Sequence, residues 1–216
     1  MPRINAEYRK TATKKIIQAA IDVAVENGWN ALTLDAIAKK LNISKGTLYV
    51  YFENSEALHR EVIFEVLRKL RTNLLTIFKK NKDIHYVILE MADLIFEKQK
   101  PYAVIFCQIP LKIPIDAEYQ SEFVSYYDQN VHVISEFLTE MKEKGTISSH
   151  VKPESAANVI LALTMGLRIK TLFLGRDTHE AKMMWIETVA CILLSAPDNV
   201  SKIVYSSIVI EKIERF

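Results

Sequence analysis

Lys45, Thr47, Tyr49 and Tyr51 occupy alternate positions in a short stretch that opens on Ser44 and carries Leu48 and Phe52 four residues apart. In a helix, Leu48 and Phe52 share the inward face, and the lysine, threonine and tyrosines project from the exposed remainder. One ammonium and three hydroxyls suit hydrogen bonding to phosphate oxygens and to base edges in a major groove. A helix that needed only solubility would rarely expose two tyrosines and a threonine beside a single charge. Gly46 leaves a position without a side chain near the helix start, where backbone could come close to DNA, at a helix-propensity cost of roughly 1 kcal/mol.

Other chemistries find little support. The chain has no Gly-rich phosphate loop, no HExxH and no GxSxG. His59, His85, His132, His150 and His179 are scattered and unpaired by spacing. Cys107 and Cys191 are isolated from each other and from any CxxC pattern, and read as two reduced core thiols. An enzyme, a metal and a cofactor are therefore not expected.

The elements that must hold this set are helices. Glycine makes up 5 of 216 residues, about 2 %, where roughly 7 % is usual. Sandwiches, barrels and doubly wound sheets need turn formers far more often, so the fold class is all-α. A first helix over 10–27 places Ile16, Ile17, Ala20, Val23 and Ala24 on one face, and Gly28 then provides a left-handed C-cap with Trp29 behind it. Thr33 caps a short second helix with Ile37 and Leu41 inward, and Ser44 caps a third running to about Phe52. Only Asn42 and Ile43 separate them, and Asn tolerates the positive φ that so tight a turn requires. This is the outline of a helix-turn-helix over about 33–52.

A long helix follows from Asn54 or Ser55 to about Lys80, with an apolar stripe broken only by Glu65. Further helices are expected at 84–98, 101–109, 117–144, 154–174 and 178–195, with prolines between them or at first turns. The tail over 200–216 reads as helix, with strand as the alternative.

The net charge of +2 conceals a division. Residues 1–60 hold nine basic against six acidic side chains, a net of +3, and the remainder holds 19 against 20, a net of −1. The excess belongs to the helix-turn-helix. No apolar block follows a basic start, and the apolar run from Val159 to Leu167 is far shorter than the roughly 20 residues that span a bilayer. A cytoplasmic protein without membrane attachment is expected.

The stretch from Leu32 to Phe52, LTLDAIAKKLNISKGTLYVYF, resembles the DNA-binding signature of the TetR (tetracycline-repressor) family. Ile37-Ala38, Leu41, Ile43-Ser44, Gly46-Thr47-Leu48-Tyr49 and Phe52 all fall at the family's spacing, and the resemblance covers roughly residues 10–60. Ser55 stands where the family commonly has lysine, and Asn42 replaces a frequent turn glycine. The resemblance implies a DNA-binding domain at 1–54 and a larger helical effector-binding and dimerisation domain at 55–216. It also implies a homodimer on an inverted-repeat double-stranded operator, released when a small molecule enters the larger domain. Carried over by position, Thr33 and Tyr49 touch phosphate, Lys45, Thr47 and Tyr51 lie at or near the groove with Gly46 between them, and Ser44 mainly caps the helix.

In the larger domain, Met91, Phe106, Phe123, Tyr126 and Tyr127, near polar Gln108, Gln129 and His132, are candidate walls of a pocket for an apolar or aromatic effector. Ile160, Leu163, Leu167, Met184, Val189 and Ile192, among small residues such as Ala162 and Gly166, are candidate dimer contacts, with the monomer core as the alternative. Two other functions stay open: a helical adaptor that uses the fold for protein contacts, and a DNA-binding protein that needs no effector.

Overall fold

A computed structural model describes residues 6–80, 83–106, 108 and 117–194. The described residues are helical throughout, joined by short turns, and contain no strand. The helices are α1 (Ala6–Asn27), α2 (Leu34–Leu41), α3 (Lys45–Tyr49), α4 (Ser55–Lys80), α5 (Ile84–Asp93), α6 (Ala103–Phe106), α7 (Ala117–Glu143), α8 (Pro153–Leu174) and α9 (Thr178–Leu193). The expected tail over 200–216 and Cys107 lie outside the described residues.

The chain divides into two compact units, one of residues 1–70 with 101–120, the other of 71–100 with 121–216. The long helices α4 and α7 each contribute to both.

In the first unit, α1 buries Ile16, Ile17, Ala20, Val23 and Ala24, the face its spacing predicts, and packs on α2. Gly28 has the positive φ, 87, that the expected glycine cap requires, but its ψ of 161 lies outside the left-handed helical well, and the chain enters a 3₁₀ turn at Trp29–Ala31. Trp29 packs at 5.1 Å against the ring of His59, whose Nε2 lies 2.9 Å from the Leu32 carbonyl. On α4, Leu58, Val62, Phe64 and Leu67 are buried. Glu65, the break in that stripe, accepts from Arg68 Nε at 3.0 Å.

In the second unit, Phe78 stacks on Phe137 at 4.3 Å, and Trp185, fully buried, donates from Nε1 to Thr164 Oγ1 at 2.8 Å. Helix α5 does not run on as α-helix to 98: it widens into a π turn at Leu94–Lys98. Side chains from α8 and α9 hold that turn. Arg168 donates to the carbonyls of Ile95 and Gln99 at 3.2 and 3.1 Å, and the buried Lys182 ammonium lies 2.7 Å from Asp93 Oδ1. A buried ammonium without a carboxylate would carry a large desolvation cost, so this pairing accounts for a lysine in an otherwise apolar face.

Helix α8 starts with Pro153 in its first turn and ends at Gly175, φ 60, the left-handed position that favours glycine. Its apolar segment is longer than the sequence run suggested. One 18-residue window reaches a mean hydropathy of 1.5, long and apolar enough to cross a membrane, yet only 17 % of it is buried. One side, with Ala156, Ala157, Ile160 and Leu167, is packed within its own chain, and α9 is its main neighbour.

Candidate nucleic-acid interface

Local hydrogen bonds build the α2–turn–α3 unit. Thr33 Oγ1 accepts from the Ala36 N–H at 3.1 Å and caps α2. At the other end Asn42 adopts φ 53 and ψ 47, the only described non-glycine residue with positive φ. That conformation lets the Ile43 N–H reach back to the Ala38 carbonyl at 3.0 Å, closing the helix end. Ser44 Oγ then accepts from the Thr47 N–H at 3.1 Å and caps α3. Leu48 and Ile37 are fully buried, and Phe52 nearly so, which fixes the face α3 turns inward.

The outward face holds most of the expected set. Lys45, Gly46, Thr47 and Tyr49 are exposed, with Tyr49 at 51 %. A Cβ built on Gly46 would meet only Ser44 Oγ, at an ordinary 3.7 Å, so no neighbour within the chain demands glycine there. Two expectations change. The α-helix ends at Tyr49 rather than near Phe52, and Tyr51, placed on the following turn, is half-buried rather than fully exposed. The Thr47 hydroxyl also lies 2.8 Å from Ser44 Oγ, so part of its hydrogen-bonding capacity is used within the cap.

Two residues join the site that spacing did not reveal. Asp35 Oδ2 on α2 lies 2.8 Å from Lys45 Nζ, and this hydrogen bond, aided by the carboxylate's charge, raises the lysine above its ordinary pKa. Arg9 of α1 donates to the Val50 carbonyl at 3.2 Å, satisfying an acceptor just past the end of α3. Neither contact has a periodic signature, because each joins helices through a turn or across 41 residues of chain.

The candidate effector residues are dispersed. Met91 is buried and helps line a small apolar void of about 10 Å³ with Phe78, Phe137 and Trp185, room for about one water molecule. Phe123, Tyr126 and Tyr127 do not line it. Tyr126 is buried with the Arg71 guanidinium 5.1 Å from its ring centre, and Tyr127 donates to Asn158 Oδ1 at 3.2 Å. Phe106 belongs to the first compact unit. Gln129 and His132 lie in an open surface groove along α7 of about 510 Å³.

The candidate dimer residues differ in how far their own chain covers them. Ile160, Leu167 and Val189 are buried within their own chain, Leu163 and Ile192 are half-buried, and Met184 alone of the six is exposed. The exposed side of α8 carries a different row, Val159, Ala162, Met165, Gly166, Ile169 and Phe173. Packing against Trp185 and Val189 of α9 covers the side with Ile160, the monomer-core alternative for that residue.

Residues 16–62 match the family model described as bacterial regulatory proteins, tetR family. The chain is 27 % identical over 173 residues to the HTH-type transcriptional regulator UidR of Escherichia coli K12, covering 77 % of this chain and 84 % of UidR. It is 30 % identical over 95 residues to IcaR of Staphylococcus epidermidis, a negative transcriptional regulator of the biofilm operon icaADBC, covering 44 % of this chain and 51 % of IcaR. In fold it is similar to a TetR transcription regulator from Haloarcula marismortui, with a TM-score of 0.73 at 17 % identity over 85 % of this chain and 99 % of that one. A capped helix-turn-helix that matches the family model over residues 16–62, in a chain whose described residues are helical and which is similar to these regulators, gives this protein a DNA-binding domain of the TetR family.

Proposed function

We propose that the protein is a homodimeric repressor of an inverted-repeat operator, with residues 1–54 as the reading head and 55–216 as the effector-binding and dimerisation part. The observation that carries the reading is the outward face of α3, where Lys45, Gly46 and Tyr49 are exposed and glycine has no internal reason. Tyr49 and Thr33 contact phosphate, while Lys45, Thr47 and Tyr51 address the groove. Repression is supported by the similarity to IcaR, itself a negative regulator. The role is regulatory rather than enzymatic, and the protein works in the cytoplasm.

A second copy covers the exposed apolar row on α8. A lipid environment suits that helix poorly, because its other face is packed in the chain and Arg168 is tied to two backbone carbonyls. The resulting two-fold symmetry sets two α3 helices about 34 Å apart, one turn of DNA. The effector is small and apolar or aromatic, and binds in the second unit at Met91, with Phe123, Tyr126 and Tyr127 as further candidate walls. Since the void at Met91 has only about 10 Å³, binding there selects a more open form of the core, and that differential affinity is what would weaken DNA binding.

Selection of duplexes from a random pool with the purified protein tests the reading. An enriched inverted repeat is expected, and Lys45→Ala and Tyr49→Phe should each weaken binding to it several-fold. Tyr49→Phe should act on all sequences alike if its hydroxyl meets phosphate. No enrichment, or unchanged affinity in both variants, would overturn the groove assignment.

A further inference from the structure

The helix-turn-helix stretch over 33–52 contains three lysines and a single acidic residue, Asp35. Asp35 does not cap α2, since Thr33 does, and its side chain is 73 % exposed. What it does touch is Lys45, the first residue of α3, at 2.8 Å. An exposed ion pair of this kind adds little to folding stability. Its position is informative instead: a carboxylate sits one hydrogen bond from the cation at the N-terminal end of the helix that addresses the groove.

A cation near DNA contributes to binding in two ways. Neutralising a phosphate releases counterions and favours every sequence equally, whereas a donor directed at a base edge favours some sequences over others. A lysine whose charge is already balanced by a hydrogen-bonded carboxylate supplies little of the first and keeps its remaining N–H donors for the second. We propose that Asp35 is a selectivity determinant, holding Lys45 at the groove and withholding its charge from the phosphate backbone. This rests on the DNA-binding reading above. In the operator complex the pair stays together and Lys45 faces a base edge. On unrelated DNA the base edge at that place varies and is seldom the matching one, and the paired lysine gains little from phosphate.

The test compares wild type, Asp35→Asn, Lys45→Met and the double variant on the selected operator and on a random duplex, each from 50 to 200 mM salt. Asp35→Asn is nearly isosteric and leaves the Thr33 cap intact, and Asp35→Ser is a second variant with the same expectation. Freeing one cation should steepen the slope of log affinity against log salt on random DNA by about 0.9, which is about a threefold larger change across that fourfold salt range. The operator-to-random affinity ratio should fall about threefold, and adding Lys45→Met to Asp35→Asn should return the slope to its wild-type value. An unchanged slope and ratio in both Asp35 variants would overturn the inference. So would a double variant that keeps the steeper slope, or an Asp35→Asn that loses operator affinity while random binding is unaltered, since Asp35 would then itself accept from a base. Wild-type protein that retains no DNA from the pool would overturn the DNA-binding reading beneath it. Retention with an unchanged ratio overturns the selectivity inference alone.

Discussion

Ile169 lies within the exposed row of α8, and its truncation separates the two faces of that helix. In the monomer 44 % of the residue remains open to solvent, so less than half of its apolar surface is left to bury against a partner. Full burial of an isoleucine side chain contributes about 1.5–3 kcal/mol. The remaining share is then about 0.7–1.3 kcal/mol per protomer. A two-fold interface uses the residue twice, giving about 1.3–2.6 kcal/mol, or a dimer dissociation constant raised about tenfold to eightyfold by Ile169→Ala. The companion variant is Ile160→Ala, on the inward face at 3 % exposure. It should cost about 2–5 kcal/mol of folding stability with little effect on the dimer constant measured below its melting range. Sedimentation equilibrium over a dilution series reads the first quantity and urea unfolding the second. A dimer constant that moves less than twofold in Ile169→Ala, or a wild-type chain that stays monomeric at micromolar concentration, would refute the assignment of this face.

Asn42 holds φ 53, so Asn42→Ala should lose about 1–2 kcal/mol of stability in urea unfolding, whereas Asn42→Gly should be near neutral. Thr33→Ala removes the hydroxyl that caps α2 and should cost about 1 kcal/mol in the same assay. Arg168→Met leaves the Ile95 and Gln99 carbonyls without this donor. A loss of about 2 kcal/mol or more in urea unfolding is expected, with faster amide exchange over 94–99.

The caps were legible because they are short-range: a hydroxyl or amide three residues from the N–H it accepts from is a matter of residue type and spacing. Thr33, Asn42 and Ser44 behave as their chemistry dictates, and the inward pair Leu48 and Phe52 follows from helical period. The end of α3 was less legible, because Tyr51 continues a helical pattern that the backbone abandons after Tyr49. The π turn after Asp93 had no signature at all. Its held carbonyls face an arginine about 70 residues away, and such a turn is tolerated where a distant side chain satisfies the backbone groups it exposes.

The amino-acid sequence by itself determined the all-helical class, the helix-turn-helix and its caps, and the excess of positive charge around it, since all of these follow from composition and from contacts within a few residues. Tertiary structure decided which of two apolar faces of α8 is core, which carboxylate holds Lys45, and which cations fasten the turn at 94–98. Helical periodicity marks a face as apolar but cannot say what covers it. That depends on the neighbour that arrives, and for α8 the neighbour on the Ile160 side was α9.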